Sequence, residues 1–132
     1  MFSYFTGDFD RIDIRRDGSV DLQATNSEPV INLDILTYAG NLESLAALAD
    51  DSRHIFVQGD IRDRALVDSL LAAHRPRAVI HLAAESHVDR SIHGPDTFMR
   101  TNIDGTFTLL EAARLYWSTL NDVESKQFRF HH

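Results

Sequence analysis

The chain has 132 residues, 43% of them apolar, enough for one modest core, and its 20 acidic against 13 basic side chains give a formal charge of -7, which offers no basic surface to a nucleic-acid backbone. It has no cysteine, which excludes disulfides and thiolate metal sites. No apolar run reaches membrane-spanning length, and the start MFSYFTGDFDR lacks the basic end and apolar centre of a signal peptide, so a soluble cytoplasmic protein with neither membrane nor nucleic-acid partners is expected.

Residues 1–29 read as a divergent or poorly ordered N-terminal arm: FDRIDIRRDGSVDLQATNSEP alternates in charge and carries no helical stripe. Asp17-Gly18 is a plausible turn between Ile12-Asp13-Ile14 and Val20-Asp21-Leu22, a hairpin at most. From Val30 the character changes. Val30-Ile31-Asn32-Leu33-Asp34 is a short apolar run ending in an acid, followed by the loop 36–41 with Gly40. LESLAALA, residues 42–49, predicts a short helix with Asn41 as a possible N-cap. RHIFVQGDI then supplies a strand ending at Gly59-Asp60-Ile61, where Asp60 is also a candidate cap for the next helix. That helix, from about Arg62 to His74, places Leu66, Leu70 and Ala73 on one face and stops at Arg75-Pro76.

Ala78-Val79-Ile80-His81-Leu82 has the length and β-branching of a strand buried on both faces. It runs into Ala83-Ala84 and then a polar set, Glu85, Ser86, His87, Asp89, Arg90 and Ser91. Ligands of open parallel sheets lie beyond the carboxyl ends of the strands, where small residues let them approach and polar ones hold them. Pro95 to about Leu120 reads as one long helix, with Met99, Ile103, Phe107, Leu110, Ala113 and Trp117 as a stripe for the core. A polar loop, residues 121–126, leads to a last strand in QFRFHH. Strand, helix, strand, helix, strand predicts an α/β fold: a Rossmann-like parallel sheet with flanking helices over residues 30–132, incomplete at its start.

HLAAESHVDRS and NLDILTYAGN, at their observed separation, resemble the nucleoside-diphosphate-sugar dehydratases of the extended short-chain dehydrogenase superfamily, in the branch that takes dTDP-glucose. The resemblance covers about residues 30–132. It implies a tightly held NAD contacted by Asp34, Ile35, Leu36, Thr37, Asp60, Ile61, Leu82, Ala83, Ala84, Glu85, Ser86 and Thr101, with Ser86 and Asp89 towards the sugar nucleotide. Asp34 would accept the adenosine ribose hydroxyls, which the extra phosphate of NADP would not permit. The helix 95–120 would pack on a subunit partner, as a homodimer or against a full-length dehydratase, which accounts for apolar residues off the stripe such as Phe98, Leu109 and Tyr116. The implied reaction is conversion of dTDP-glucose to its 4-keto-6-deoxy product. SHVDRS and LTYAGN favour this over a sugar-nucleotide epimerase.

Two parts of that pattern are missing. The six glycines, Gly7, Gly18, Gly40, Gly59, Gly94 and Gly105, nowhere form the turn that brings backbone to a pyrophosphate, although Phe5-Thr6-Gly7 resembles the end of a first strand. The proton-transferring Tyr-x-x-x-Lys pair is also absent: the single lysine is Lys126, and none of Tyr4, Tyr38 and Tyr116 stands four residues before it. No catalytic residue is therefore assigned, and the family's nucleotide-sugar domain would lie past His132. The expectation is a partial dehydratase without turnover, or a non-catalytic remnant that binds NAD weakly or pairs with another chain. Seven histidines invite a metal site, but Glu85, His87 and Asp89 alternate along a loop without ligand spacing, and none is assigned.

Overall fold

The computed structural model describes residues 3–6, 11–14, 20–23, 29–37, 42–85, 92 and 95–132, with the backbone course alone for the first three stretches. Its centre is a five-stranded sheet built from β1 (Ser3–Thr6), β4 (Val30–Asp34), β5 (His54–Gln58), β6 (Ala78–His81) and β7 (Arg129–His131), in the order β5-β4-β1-β6-β7. β2 (Arg11–Ile14) and β3 (Val20–Gln23) form a separate antiparallel pair, Ile14 opposite Val20, where a hairpin was expected.

β4 and β5 are parallel, as are β6 and β7, and all five residues of β4 are buried, as in a strand covered on both faces. One strand departs from the expected parallel arrangement. β1 lies between β4 and β6 but runs antiparallel to both: Ser3 is opposite Leu33 and His81, and Thr6 is opposite Val30 and Ala78. A parallel β1 would require a crossover, normally helical, back to the start of β4. The segment between them carries β2 and β3 instead of a helical stripe, so the chain leaves Thr6 and re-enters at Val30 on the same side of the sheet.

Leu42–Leu48 forms a 3-10 helix, anchored by buried Leu45. Its expected cap, Asn41, lies outside the described residues. Helix α1 (Arg64–His74) starts at Asp63, whose side chain accepts the Leu66 N–H, and ends at Arg75 in the left-handed region, φ 44°, just before Pro76. The cap is thus Asp63 and not Asp60. Its buried face is Val67, Leu70 and Leu71, and Ala73 points to solvent.

The expected helix 95–120 is interrupted. α2 (Pro95–Met99) passes through a π-helical turn, Arg100–Gly105, into α3 (Thr106–Thr119). The core is taken by Leu109, Ala112, Ala113 and Tyr116, whereas Met99, Ile103, Phe107, Leu110 and Trp117 are 45–65% exposed. This reverses the expected stripe except at Ala113. Both faces of α3 are apolar, so periodicity fits either. The face with small residues lets the helix approach the sheet and α1 closely, and that face is buried. The stretch expected as a polar loop contains α4 (Asp122–Gln127), closed by a capping box between Asn121 and Glu124.

Candidate functional site

β4, β5 and β6 end at one edge of the sheet, and there a cleft of about 150 Å³ is lined by Leu33, Asp34, Ile35, Thr37, Gly59, Asp60, Ile61, Arg62, Ala83, Ala84, Glu85, Thr97 and Thr101. Residues from three strand ends and from α2 and the π turn thus meet where an open α/β sheet binds ligands.

Asp34 closes β4 with a side chain only 3% exposed. Its Oδ1 accepts the Leu36 N–H at 2.5 Å, an Asx turn that carries Leu36 into the left-handed region at φ 54°. The Asp34 carbonyl accepts the Gly59 N–H at 3.0 Å, tying the ends of β4 and β5 together. Gly59 is closely packed: a Cβ there would lie 2.2 Å from Leu66 Cδ2 and 3.1 Å from Leu33 Cδ1, so both leucine ends would have to shift.

Asp60 follows, and both of its oxygens serve Arg62. Oδ1 accepts the Arg62 backbone N–H at 2.8 Å, while Oδ2 accepts from Nε at 2.8 Å and Nη2 at 2.6 Å. Burial raises the Asp60 carboxyl, but the side-chain and backbone hydrogen bonds from Arg62 outweigh it and hold the group below its ordinary value. Beside it Ile61 is buried at 5%, packed against Gly105, where a Cβ would stand 2.6 Å from Ile61 Cδ1. The third wall is Ala83, Ala84 and Glu85. Asn102 fixes it, with Oδ1 accepting the Glu85 N–H at 2.8 Å and Nδ2 donating to the Glu85 carbonyl at 2.9 Å.

Chemically the cleft offers carboxylates and threonine hydroxyls around small apolar residues, its one described cation, Arg62, being forked onto Asp60. That set accepts hydrogen bonds from hydroxyls and amines, as on a sugar or a nucleobase, and suits a phosphate poorly. Ligand pockets commonly span about 300–1,000 Å³, so a cleft of about 150 Å³ takes part of a larger molecule.

Of the residues singled out from sequence, Asp34, Ile35, Thr37, Asp60, Ile61, Ala83, Ala84, Glu85 and Thr101 line this cleft. Leu36 and Leu82 are adjacent in the chain without lining it, and Ser86 and Asp89 lie outside the described residues. Sequence reasoning missed Leu33, Gly59, Arg62 and Thr97. Arg62 could have been found two residues after Asp60, within reach of its carboxylate; Thr97 is brought in by a helix whose direction the sequence does not reveal. β1 contributes its amino end to this side of the sheet, Ser3 lying opposite Leu33, so Thr6 lies at the opposite edge.

His81 is 2% exposed, with Nε2 2.9 Å from Thr106 Oγ1 and its ring 4.9 Å from that of His132. Burial, and secondarily the charge of His132, push its pKa down to about 4, so it is a neutral core group at ordinary pH. Among the described residues no group of three or more His, Asp or Glu side chains converges as a metal site. Tyr116 donates its hydroxyl to the Pro76 carbonyl at 3.0 Å, at the opposite end of the sheet from the cleft. A wider cleft of about 340 Å³ lies there, between Pro29, Pro76, Arg77, Tyr116 and Gln127.

Known proteins show what this arrangement is similar to. A dTDP-glucose 4,6-dehydratase of Shigella flexneri is 60% identical over 105 residues, 80% of this chain and 29% of that protein. The structure of a dTDP-glucose 4,6-dehydratase of Streptomyces venezuelae with NAD and TYD bound superposes with a TM-score of 0.66 at 44% identity, over 80% of this chain and 30% of that one. A UDP-glucose 4-epimerase of Thermotoga maritima, with UDP-glucose, gives a TM-score of 0.57 at 32% identity, over 65% of this chain and 26% of that one. The chain therefore spans about 30% of the length of these relatives, and its α/β architecture is that of their Rossmann-type dehydratases and epimerases. The family model for GDP-mannose 4,6 dehydratase matches residues 22–132, most of the sequence, and the chain belongs to that family.

Proposed function

We propose that residues 30–132 form part of the NAD-binding domain of a dTDP-glucose 4,6-dehydratase, and that this 132-residue chain binds the adenosine half of NAD without turning over dTDP-glucose. The observation that carries this reading is the convergence of Asp34, Asp60 and Glu85 with Ala83 and Ala84 in one cleft at the carboxyl ends of β4, β5 and β6, in a chain 60% identical to a dehydratase over 105 residues.

Asp34 holds the ribose hydroxyls, as a carboxylate at the end of a second Rossmann strand can. Asp60 accepts from the adenine amino group, Ile61 packs on the ring, and Ala83 and Ala84 leave the backbone accessible beneath the ligand. Thr37 and Thr101 supply hydroxyls at the rim, and Ile35, Leu36 and Leu82 shape the surrounding backbone. Glu85 is assigned to NAD as well, and Ser86 and Asp89, outside the described residues, are assigned by resemblance to NAD and the sugar nucleotide (Ser86) and to the sugar nucleotide (Asp89). Bound NAD would supply a hydride acceptor for oxidation at a sugar carbon. The adenosine half fits the donors and acceptors present. The pyrophosphate half finds no glycine-rich motif in the sequence after β1, where Gly7 is followed by Asp8-Phe9-Asp10, and Thr6 itself lies opposite Val30 and Ala78, away from the cleft. No tyrosine stands four residues before Lys126, so the chain has no pair to move the proton from the sugar hydroxyl.

A specific observation supports association through residues 95–120. Met99, Ile103, Phe107, Leu110 and Trp117 form an exposed apolar face on one helical segment. A second copy of this chain, or a full-length dehydratase, covers it in this reading. No helix among the described residues is long and apolar enough to cross a membrane, and the proposed site of action is the cytoplasm.

Calorimetric titration of the purified chain with NAD, beside an absorbance assay for the 4-keto-6-deoxy sugar, tests the proposal. Binding without turnover is expected; absence of NAD binding overturns the cofactor reading, and turnover overturns the assignment of no catalytic residue.

A further inference from the structure

The fork that Arg62 places on Asp60 has a purpose beyond an ion pair. Three hydrogen bonds fix both the plane and the rotation of that carboxylate, one from the Arg62 backbone to Oδ1 and two from its guanidinium to Oδ2. A carboxylate has about four acceptor directions, so Oδ2 is filled and Oδ1 retains one. The Arg62 side chain is 38% exposed, so the fork is held by its own hydrogen bonds and not by packing. Asp96 and Asp104 add their negative charge around the guanidinium. Arg62 and Asp60 both line the cleft.

We infer that Arg62 is a positioning residue that locks Asp60 as an acceptor and so makes the cleft select a purine carrying an amino group at its 6-position over one carrying a carbonyl there. The selection follows from the fixed carboxylate. A 6-amino group donates to the free direction of Oδ1, whereas a 6-oxo group presents a second acceptor to an oxygen that has no proton to give. If Asp60 could rotate, water or a turned carboxylate would relieve that mismatch and the preference would shrink. The inference rests on the adenosine reading of the cleft.

The test uses the whole 132-residue chain and two dinucleotides, NAD and nicotinamide hypoxanthine dinucleotide, which differ at the 6-position of the purine. Wild type is expected to bind NAD ~10-fold or more tightly than the hypoxanthine analogue, the range of one hydrogen bond to a charged group. Arg62→Ala is expected to reduce that ratio to about threefold or less. Arg62→Lys keeps the charge but loses the fork, and is expected to reduce it as well. Far-UV circular dichroism checks that each variant retains the fold. Equal weakening of both ligands by Arg62→Ala, with the ratio preserved, overturns the positioning role while the adenosine reading stands. A ratio preserved by Arg62→Lys alone overturns orientation in favour of simple charge. If wild type binds neither dinucleotide, the adenosine reading fails, and this inference with it.

Discussion

The amide of Asn102 closes on the backbone of Glu85 from both sides, accepting its N–H at 2.8 Å and donating to its carbonyl at 2.9 Å. A side chain from the π-helical turn thereby takes the place of a neighbouring strand for one residue of the loop after β6. π-helical turns occur often at functional sites, and here the wider turn contains the residue that fixes one wall of the cleft. Asn102→Ala should leave both Glu85 backbone groups without this partner and cost about 1–3 kcal/mol. The Glu85 amide should also exchange with deuterium much faster, as measured by hydrogen exchange, and unchanged protection there would show that the clamp does not hold the loop.

Gly105→Ala sets two effects against each other. Alanine is favoured over glycine in a helix by about 1 kcal/mol, but its Cβ would lie 2.6 Å from Cδ1 and 2.9 Å from Cγ1 of Ile61. Overpacking costs about 1–3 kcal/mol, so the variant should be less stable, with Ile61 displaced into the cleft. Ile61→Val removes Cδ1, and the double variant should recover part of the loss. Urea unfolding of the four proteins measures the coupling, and strict additivity would mean that Ile61 does not resist the new methyl.

The two faces of α3 should respond differently to truncation. Leu109 is fully buried, and Leu109→Ala should cost about 2–5 kcal/mol. Phe107 is 65% exposed, and Phe107→Glu should change folding stability little but disperse any self-association of the chain. Sedimentation velocity beside urea denaturation distinguishes them. A large stability loss for Phe107→Glu would place that residue in the core.

Acid should weaken the fold in two stages. His81 titrates near 6.5 when unfolded and at about 4 in the fold, so between these values the unfolded chain binds the proton more readily. Its stabilising contribution is complete above pH 6.5, falls as pH drops from 6.5 to about 4, and is then lost. The size is on the order of 3 kcal/mol. Asp60 and Glu124, whose carboxyls are lowered, stabilise the fold above the ordinary carboxylate range, and that contribution is lost only as pH falls through and below it. Denaturant midpoints at pH 7, 6, 5 and 4 for wild type and His81→Gln should diverge in slope over that range; parallel curves would rule out His81 as the source.

The legible parts of the fold were those with a local cause. β4, β5 and β6 are short apolar runs, α1 stops at Arg75-Pro76, and the carboxylates at the strand ends needed only the rule that ligands meet an open sheet there. The helix at Asp122–Gln127 was missed because its residues are polar except for the exposed Val123, which gives no apolar stripe, and its capping box was overlooked. The stripe on α3 was misplaced for a deeper reason. Apolar spacing identifies a helix but cannot rank two apolar faces, and here packing density chose the face with alanines and left Phe107 outside.

By itself the sequence determined which residues could serve as strands, caps and acceptors, because those depend on side-chain chemistry and on neighbours a few positions away. Tertiary structure decided what depends on distance along the chain. It set β1 antiparallel between β4 and β6, since a short strand finds main-chain partners in either direction and the described part of the connection to Val30 carries β2 and β3 in place of a crossover helix. It also brought Asn102 to Glu85 and Gly105 to Ile61, contacts across 17 and 44 positions that only the packed helix and sheet create.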